Sequence, residues 1–391
     1  MANIAADDPI AQGNSPSALT RLGWLALAIG VPAAAVCTAL DHRGARAAAS
    51  QDWPPFVLVT GLLLIGIVAR DEGLFDAAGA ALAWVGRSGA SLLLCTAGLV
   101  AAVTVTLNLD TSVTFLTPVV LAAARRQHRD PEPFVYLVVC MANAGSLLLP
   151  GSNLTNLIVL QETHTSGAAF VAHVAGAWAA SVISVVVVVA ILYRSRLGRR
   201  EGVEPMVWRP GFGPGTLAVV GAVIAMVALP GDTAALVVAG IGIVVAGTHV
   251  ITRRDGISVA RHLNLPLLLG LFGAATALGT LGRAWSGPSH LLAHSGSWQT
   301  AAIGAGASVF VNNLPAASLL AARPVAHAAA LLVGLNLGPN LALSGSLAGV
   351  LWFQTSRSAG WTPSFRRFSY VGLAVVPVTM AASLGALAIS H

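Results

Sequence analysis

The sequence predicts an all-α polytopic membrane protein, arranged as an inverted-topology repeat with two re-entrant hairpins and two broken helices. Three observations lead there. Of 391 residues, 56% are hydrophobic and 9% charged, with a mean hydropathy of +0.79; about 25% charge is usual in soluble domains, so most of this surface has lipid for a solvent. Several apolar runs reach the ~20 residues that cross ~30 Å of hydrocarbon. Two apolar segments, 89–124 and 298–322, are interrupted midway by NLDTS and NNLP. Helical backbone breaks at membrane depth only where it is buried in protein or lines a cavity.

In chain order, the opening MANIAADDPIAQGNSPSA has two acids and no basic stretch. It reads as part of a cytoplasmic tail (1–21) and not as a cleaved signal. Spans are expected over 22–40, 54–69, 132–161, 167–193, 215–230, 234–251, 262–281, 324–355 and 368–389. Arginines order them, and all 21 basic residues are arginine. If 89–124 is a hairpin, Arg87 and the cluster Arg125, Arg126 and Arg129 share one side. The loop RSRLGRREGVEPMVWR, then Arg253 and Arg254, then Arg357, Arg366 and Arg367 fall on that same side. By the positive-inside rule that side is cytoplasmic, with the C-terminus outside a cell membrane crossed many times. Arg43 and Arg46 are the outlier, in a short loop that Asp41 and Asp52 bring near neutrality. Segments 74–87 and 278–294 are amphipathic and read as connectors lying along the interface.

The halves resemble each other. VLVTGLLLIGIVARDEGLFDAAGAALAW and an apolar arm lead to Asn108, while LNLPLLLGLFGAATALGTLGRAW and an apolar arm lead to Asn312 and Asn313. Downstream, Asn143-Ala-Gly145 precedes LLLPGSN, and Asn336-Leu-Gly338 precedes LALSGSL. With hairpins opening to opposite sides, this is an inverted repeat, a pointer to secondary transport. The first repeat spans 22–193, a basic linker 194–214, and the inverted second repeat 215–391.

Four polar interruptions carry the chemistry: Asn108 with Thr111 and Ser112; Asn143 with Ser152, Asn153 and Asn156; Asn312 with Asn313; and Asn336 with Asn340, Ser344 and Ser346. Pro150 and Pro339 remove backbone donors at two of them. Unwinding there exposes carbonyls and amides, and half-helix N-termini present partial positive charge. Such a site suits a small, hydrogen-bonding solute or a weakly held ion. Taken singly, each residue reads equally well as helix-to-helix glue; the related pairing of the four favours a binding site. Asp110 is the sharpest residue. A carboxylate at the bilayer centre costs about 2.5–3.5 kcal/mol on insertion scales, and burial favours its neutral form, which makes Asp110 the candidate proton-coupling group. The alternative is a structural carboxylate that accepts backbone amides at a hairpin tip.

Cys37, Cys95 and Cys140 are widely spaced in apolar runs, with no metal-ligand pattern, and read as packing residues. The histidines in or near spans (173, 249, 262 and 327) read as helix contacts. No metal or cofactor is expected, and no basic soluble face for nucleic acid.

NLDTSVTFLTPVVLAAARR, ANAGSLLLPGSNLTNLIVL, FVNNLPAASLLAA and LNLGPNLALSGSLAGVLW resemble the signature segments of the arsenite permease family, within the ion-transporter superfamily that also holds dicarboxylate/sodium symporters. The resemblance runs from about Leu22 to Ala388. It implies a scaffold, a transport domain moving as an elevator, and a site formed by the two tips and two broken helices at the four polar interruptions. It implies export of arsenite or antimonite in exchange for protons, with an arsenic-pump ATPase as a candidate partner, since this chain has no P-loop. The dicarboxylate branch carries Ser-Asn-Thr at each tip; its absence here argues against di- or tricarboxylates. The chain is also short for the arsenite branch, by about one peripheral span. A proton- or sodium-coupled carrier of another small solute or anion is the alternative. An intramembrane enzyme would need paired catalytic groups, and Asp110 reads as the one central carboxylate.

Overall fold

The computed structural model describes residues 18–86, 88–161, 167–198, 213–229, 231–253 and 264–389. The tail residues 1–17, Arg87, most of the basic linker (199–212), Arg254 and His262 lie outside the described residues. In chain order the helices are α1 (Ala18–Leu40), α2 (His42–Asp71), α3 (Leu74–Val85), α4 (Gly89–Thr106), α5 (Leu109–Arg126), α6 (Glu132–Gly145), α7 (Leu154–Gln161), α8 (Gly167–Leu192) and α9 (Arg194–Leu197). The second half continues with α10 (Pro214–Ala228), α11 (Gly231–Arg253), α12 (Leu265–Ala284), α13 (Gly287–Ala293), α14 (Ser297–Val311), α15 (Asn313–Leu320), α16 (Ala328–Leu337), α17 (Leu347–Ser358) and α18 (Phe365–Ile389). Among the described residues, seven of these (α1, α2, α4, α8, α11, α12 and α18) are long and apolar enough to cross a membrane. The protein is an all-helical, multi-pass membrane protein.

Both interrupted segments are hairpins. The arms α4 and α5 meet near their tip, where Ser112 Oγ donates to Val100 O (3.5 Å). Their bases meet at one end of the bundle: a Cβ on Gly89 would fall on the Leu197 carbonyl, and Arg129 Nη1 donates to that carbonyl (3.4 Å). Glu132 closes this end, accepting from Arg196 (2.6 Å), Arg367 (2.7 Å) and the Tyr193 hydroxyl (3.1 Å). Arg125 donates to Ala359 O (2.9 Å) and Gly360 O (2.8 Å). The arms α14 and α15 close at the opposite end, where Ser297 Oγ lies 3.2 Å from His327 Nδ1. There Leu160, Phe170, His173, His327 and Leu387 share a cavity of about 710 Å³.

The segments 132–161 and 324–355 are each broken midway. In the first, α6 ends at Gly145 and Pro150 opens a short 3-10 turn before α7. In the second, Pro339 and Gly345 lie in two such turns between α16 and α17. Proline lacks the N–H that the helix ladder needs, and both breaks fall there.

Outside the hairpins the helices pack through small residues. A Cβ on Gly30 would strike the Gly270 carbonyl, and one on Gly242 the Gly61 backbone, so α1 lies against α12 and α2 against α11 backbone to backbone. In lipid, where apolar burial does not drive helix pairing, such close approach supplies dispersion contact.

Three expectations are corrected. The second helix starts at His42, not at 54, so Arg43 and Arg46 stand in its first turns and not in a loop. Asp41 caps it, accepting from Gly44 N (2.9 Å), and the alanine-rich stretch behind it is helix-favouring. Asp52 is therefore a buried helical residue, 1% exposed, so Asp110 is not the one carboxylate inside the bundle. The connector expected over 278–294 is shorter, because Leu278–Ala284 completes α12 and only α13 stands apart.

Candidate functional site

Both hairpin tips and both helix breaks converge. Leu109 and Asp110 from the first tip, Asn153 from the first break, Asn312 and Asn313 from the second tip, and Ser346 from the second break line one small cavity. Leu271 of α12 supplies an apolar wall. The interior volume is about 20 Å³, enough for about one water.

Four helix N-termini face this point, each with a side-chain cap. Asn108 Oδ1 accepts from Thr111 N (2.7 Å) and Asn153 Oδ1 from Thr155 N (3.2 Å). Asn312 Oδ1 accepts from Leu314 N (3.3 Å) and Ser346 Oγ from Gly349 N (3.1 Å). Each terminus contributes partial positive charge through its free N–H groups and aligned peptide dipoles. Asp110, in the first turn of α5, is partly buried and makes no hydrogen bond or ion pair among the described residues. The arrangement presents one carboxyl and several neutral amides and hydroxyls to an oxygen-bearing solute or a cation.

The remaining residues singled out in the sequence sit behind the cavity. Asn336 is the hub of a lattice that crosses between the halves: its Oδ1 accepts from Ser146 Oγ (2.6 Å) and Asn153 Nδ2 (2.8 Å), and its Nδ2 donates to Asn156 Oδ1 (2.8 Å). Asn143 Nδ2 donates to Asn340 Oδ1 (2.7 Å), and Asn156 Nδ2 donates to the Ser146 (2.7 Å) and Leu149 (3.1 Å) carbonyls freed by the break. These amides bond one another, and Asn143 Oδ1 and Asn340 Nδ2 are left without a partner among the described residues. Ser152 Oγ donates to Val105 O (3.3 Å) on the first hairpin, and Asn312 Nδ2 to Ser344 O (3.1 Å), so each break is tied to the hairpin of its own half. Thr111 packs behind the first tip against Gly66 of α2, Asn108 and Ser112 are buried, and the Ser344 side chain is exposed.

Asn312 adopts φ 75°, a conformation that costs a non-glycine residue on the order of 1–3 kcal/mol and that clusters at functional sites. No local sequence signal marks Leu271 as a wall of the cavity; its contribution follows from tertiary packing alone.

Comparison with known proteins places the chain. Residues 16–348 match the CitMHS family, described as citrate transporter. The chain belongs to this family. It is therefore a secondary transporter and not an enzyme. The crystal structure of the Alcanivorax borkumensis YdaH transporter, described as having an unusual topology, shares the fold: the TM-score is 0.57 at 15% identity, over 95% of this chain and 98% of that one. An Oryza sativa subsp. japonica protein named silicon efflux transporter LSI3 is 28% identical over 122 residues, 31% of this chain and 25% of that protein. The match to that curated relative thus spans about a quarter of its length. A transported small solute follows from the family; its identity does not.

Proposed function

We propose that this member of the citrate transporter family is a proton- or sodium-coupled carrier of a small, oxygen-rich solute or anion. The single observation that carries the reading is the convergence of four capped helix N-termini on a cavity holding one unpaired carboxyl, Asp110. Partial positive charge from the N-termini suits solute oxygens. The carboxyl suits the coupling cation, because a lone carboxylate at that depth is costly unless a cation joins it. Asn153, Asn313 and Ser346 would contact the solute, with Asn108, Thr111 and Ser112 shaping the first tip and Asn312 and Ser344 the second. In this reading Asn143, Ser152, Asn156, Asn336 and Asn340 position the breaks.

The same reading makes 22–193 and 215–391 an inverted pair of repeats. Their re-entrant hairpins and broken helices form the transport unit, and α1, α2, α11 and α12 the scaffold past which it moves as an elevator. The end that carries Arg125, Arg129, Arg196 and Arg367 would face the cytoplasm.

Exchange of arsenite or antimonite for protons is the second reading. Arsenite is an uncharged trihydroxy species at neutral pH, which fits neutral amide and hydroxyl donors. The likeness to a protein named for silicon efflux supports a small inorganic solute in the same way. Against it stands the family description, citrate; against citrate stand tips that lack Ser-Asn-Thr.

Uptake into everted membrane vesicles decides between them. Citrate, arsenite, antimonite and silicic acid would each be offered under an imposed proton or sodium gradient. Gradient-dependent uptake of any one identifies the solute and the coupling ion. No uptake of any of the four, in vesicles shown to contain folded protein, would sink these substrate assignments.

A further inference from the structure

A second carboxyl lies buried outside the tip cavity. Asp52 stands roughly 15 Å along α2 from its start, at 1.5 Å of rise per residue, and is 1% exposed. Its Oδ1 accepts one bond, a long one of 3.4 Å from Ser318 Oγ on α15. Its Oδ2 has no partner among the described residues. Arg283 of α12 is the cation that acts on it, yet without an ion-pair contact to it. The guanidinium donates instead to Gly279 O (3.0 Å) and Gln51 Oε1 (2.7 Å). Arg323, one step further out, donates to Arg283 O (2.6 Å). Gln51 completes the cluster, its Nε2 donating to Ala321 O (2.9 Å) and Ile158 O (3.0 Å).

Residues 51 and 52 therefore fasten α2 and α12 to the outer end of the second hairpin and to α7. A buried carboxylate with one long hydrogen bond and no ion-pair contact is poorly compensated for leaving water. A proton is the ligand that relieves it. A metal cation would instead meet the fixed positive charge of Arg283.

We propose that Asp52 is a second proton-binding carboxyl, and that taking up a proton there fastens the second hairpin and α7 to α2 and α12, while losing it loosens them. Ionised, Asp52 has left water at a cost that the long bond from Ser318 and the Arg283 charge offset only in part. Protonated, it no longer carries that cost, so a proton favours the packed boundary and its loss favours opening toward water. The inference rests on the coupled-carrier reading, to which it adds a proton site between scaffold and hairpin, distinct from Asp110.

Hydrogen–deuterium exchange of the full chain in lipid nanodiscs tests it. Wild type and Asp52→Asn are compared at the same pH, so that the intrinsic exchange rate cancels. At about pH 8, far above the ordinary carboxylate range, peptides covering 313–322 should exchange about tenfold slower in Asp52→Asn, through rarer local opening. At about pH 3, below the ordinary value of an aspartate carboxyl, the two proteins should agree, because the wild-type carboxyl is then protonated. A difference of equal size at both pH values would make Asp52 a fixed structural contact and overturn the proposal, as would no difference at either. Should Asp52→Asn fail to fold, Ser318→Ala gives the same reading from the hairpin side. It should speed exchange at the higher pH alone, and an equal effect at both values would again overturn the idea. The readout is hairpin opening and not uptake, so vesicles that transport none of the four solutes would refute the substrate assignments while leaving this result standing.

Discussion

At the first tip the chain turns through Leu107 and Asn108 and starts α5 with Asp110 in its first turn. At the second it turns through Asn312 and starts α15 with Asn313 and Pro315. Both tips cap their second arm with an asparagine side chain, and both reach the same cavity. They differ in charge and in strain. The first holds a carboxyl on a relaxed, extended Asn108; the second is neutral, on an Asn312 held at φ 75°. Related backbones thus carry unlike chemistry, and the proposed function gives cation coupling to one tip and solute contact to the other.

The largest way to break that division is Asp110→Asn. The isosteric amide keeps the fold but cannot carry a proton, so gradient-driven uptake in vesicles should fall about a hundredfold or more, an effect of about 2.7 kcal/mol or more at 1.36 kcal/mol per decade. Retained uptake would remove Asp110 from coupling. Next comes the joint between the two breaks. Asn336→Ala strands the buried amides of Asn153 and Asn156, each at about 1–3 kcal/mol, and should lower the thermal midpoint of purified protein by several degrees. An unchanged midpoint would show that the lattice bears little load.

Asn313→Asp sharpens the comparison by giving the second tip its own carboxyl. Uptake of an anionic solute should drop about tenfold, about 1.4 kcal/mol, while an uncharged solute should be little affected; equal losses for both would argue against direct solute contact at Asn313. The smallest effects concern the caps. Asn108→Ala should cost about 1 kcal/mol of stability, whereas Asn312→Gly should be neutral or slightly stabilising, because glycine takes positive φ without strain. Denaturation of the two variants side by side tests the difference in sign.

The tips and breaks were legible because a polar cluster inside an apolar run has few physical explanations. NLDTS and NNLP announce the two turns, and Pro150 and Pro339 the two interruptions. Asp52 was not legible. Arg43 and Arg46 lower the apolarity of its surroundings, and Trp53-Pro54-Pro55 reads as a helix start, although α2 runs straight through it. Its burial comes from Ser318 and Arg283, more than two hundred residues away in sequence. The asparagines were legible as polar groups in the interior, but not in their targets. An amide satisfies a solute and another amide equally well, and only the assembled breaks determine that Asn336 faces Ser146, Asn153 and Asn156.

That lattice has one further property. Its members are amides and a hydroxyl, none of which ionises in the range where a carboxyl gains or loses its charge. The girder that holds the two broken segments together is therefore blind to pH, while Asp110, which lines the tip cavity with Asn153, can respond to it. In the proposed reading, acidification would alter the cargo berth without warping the frame that encloses it.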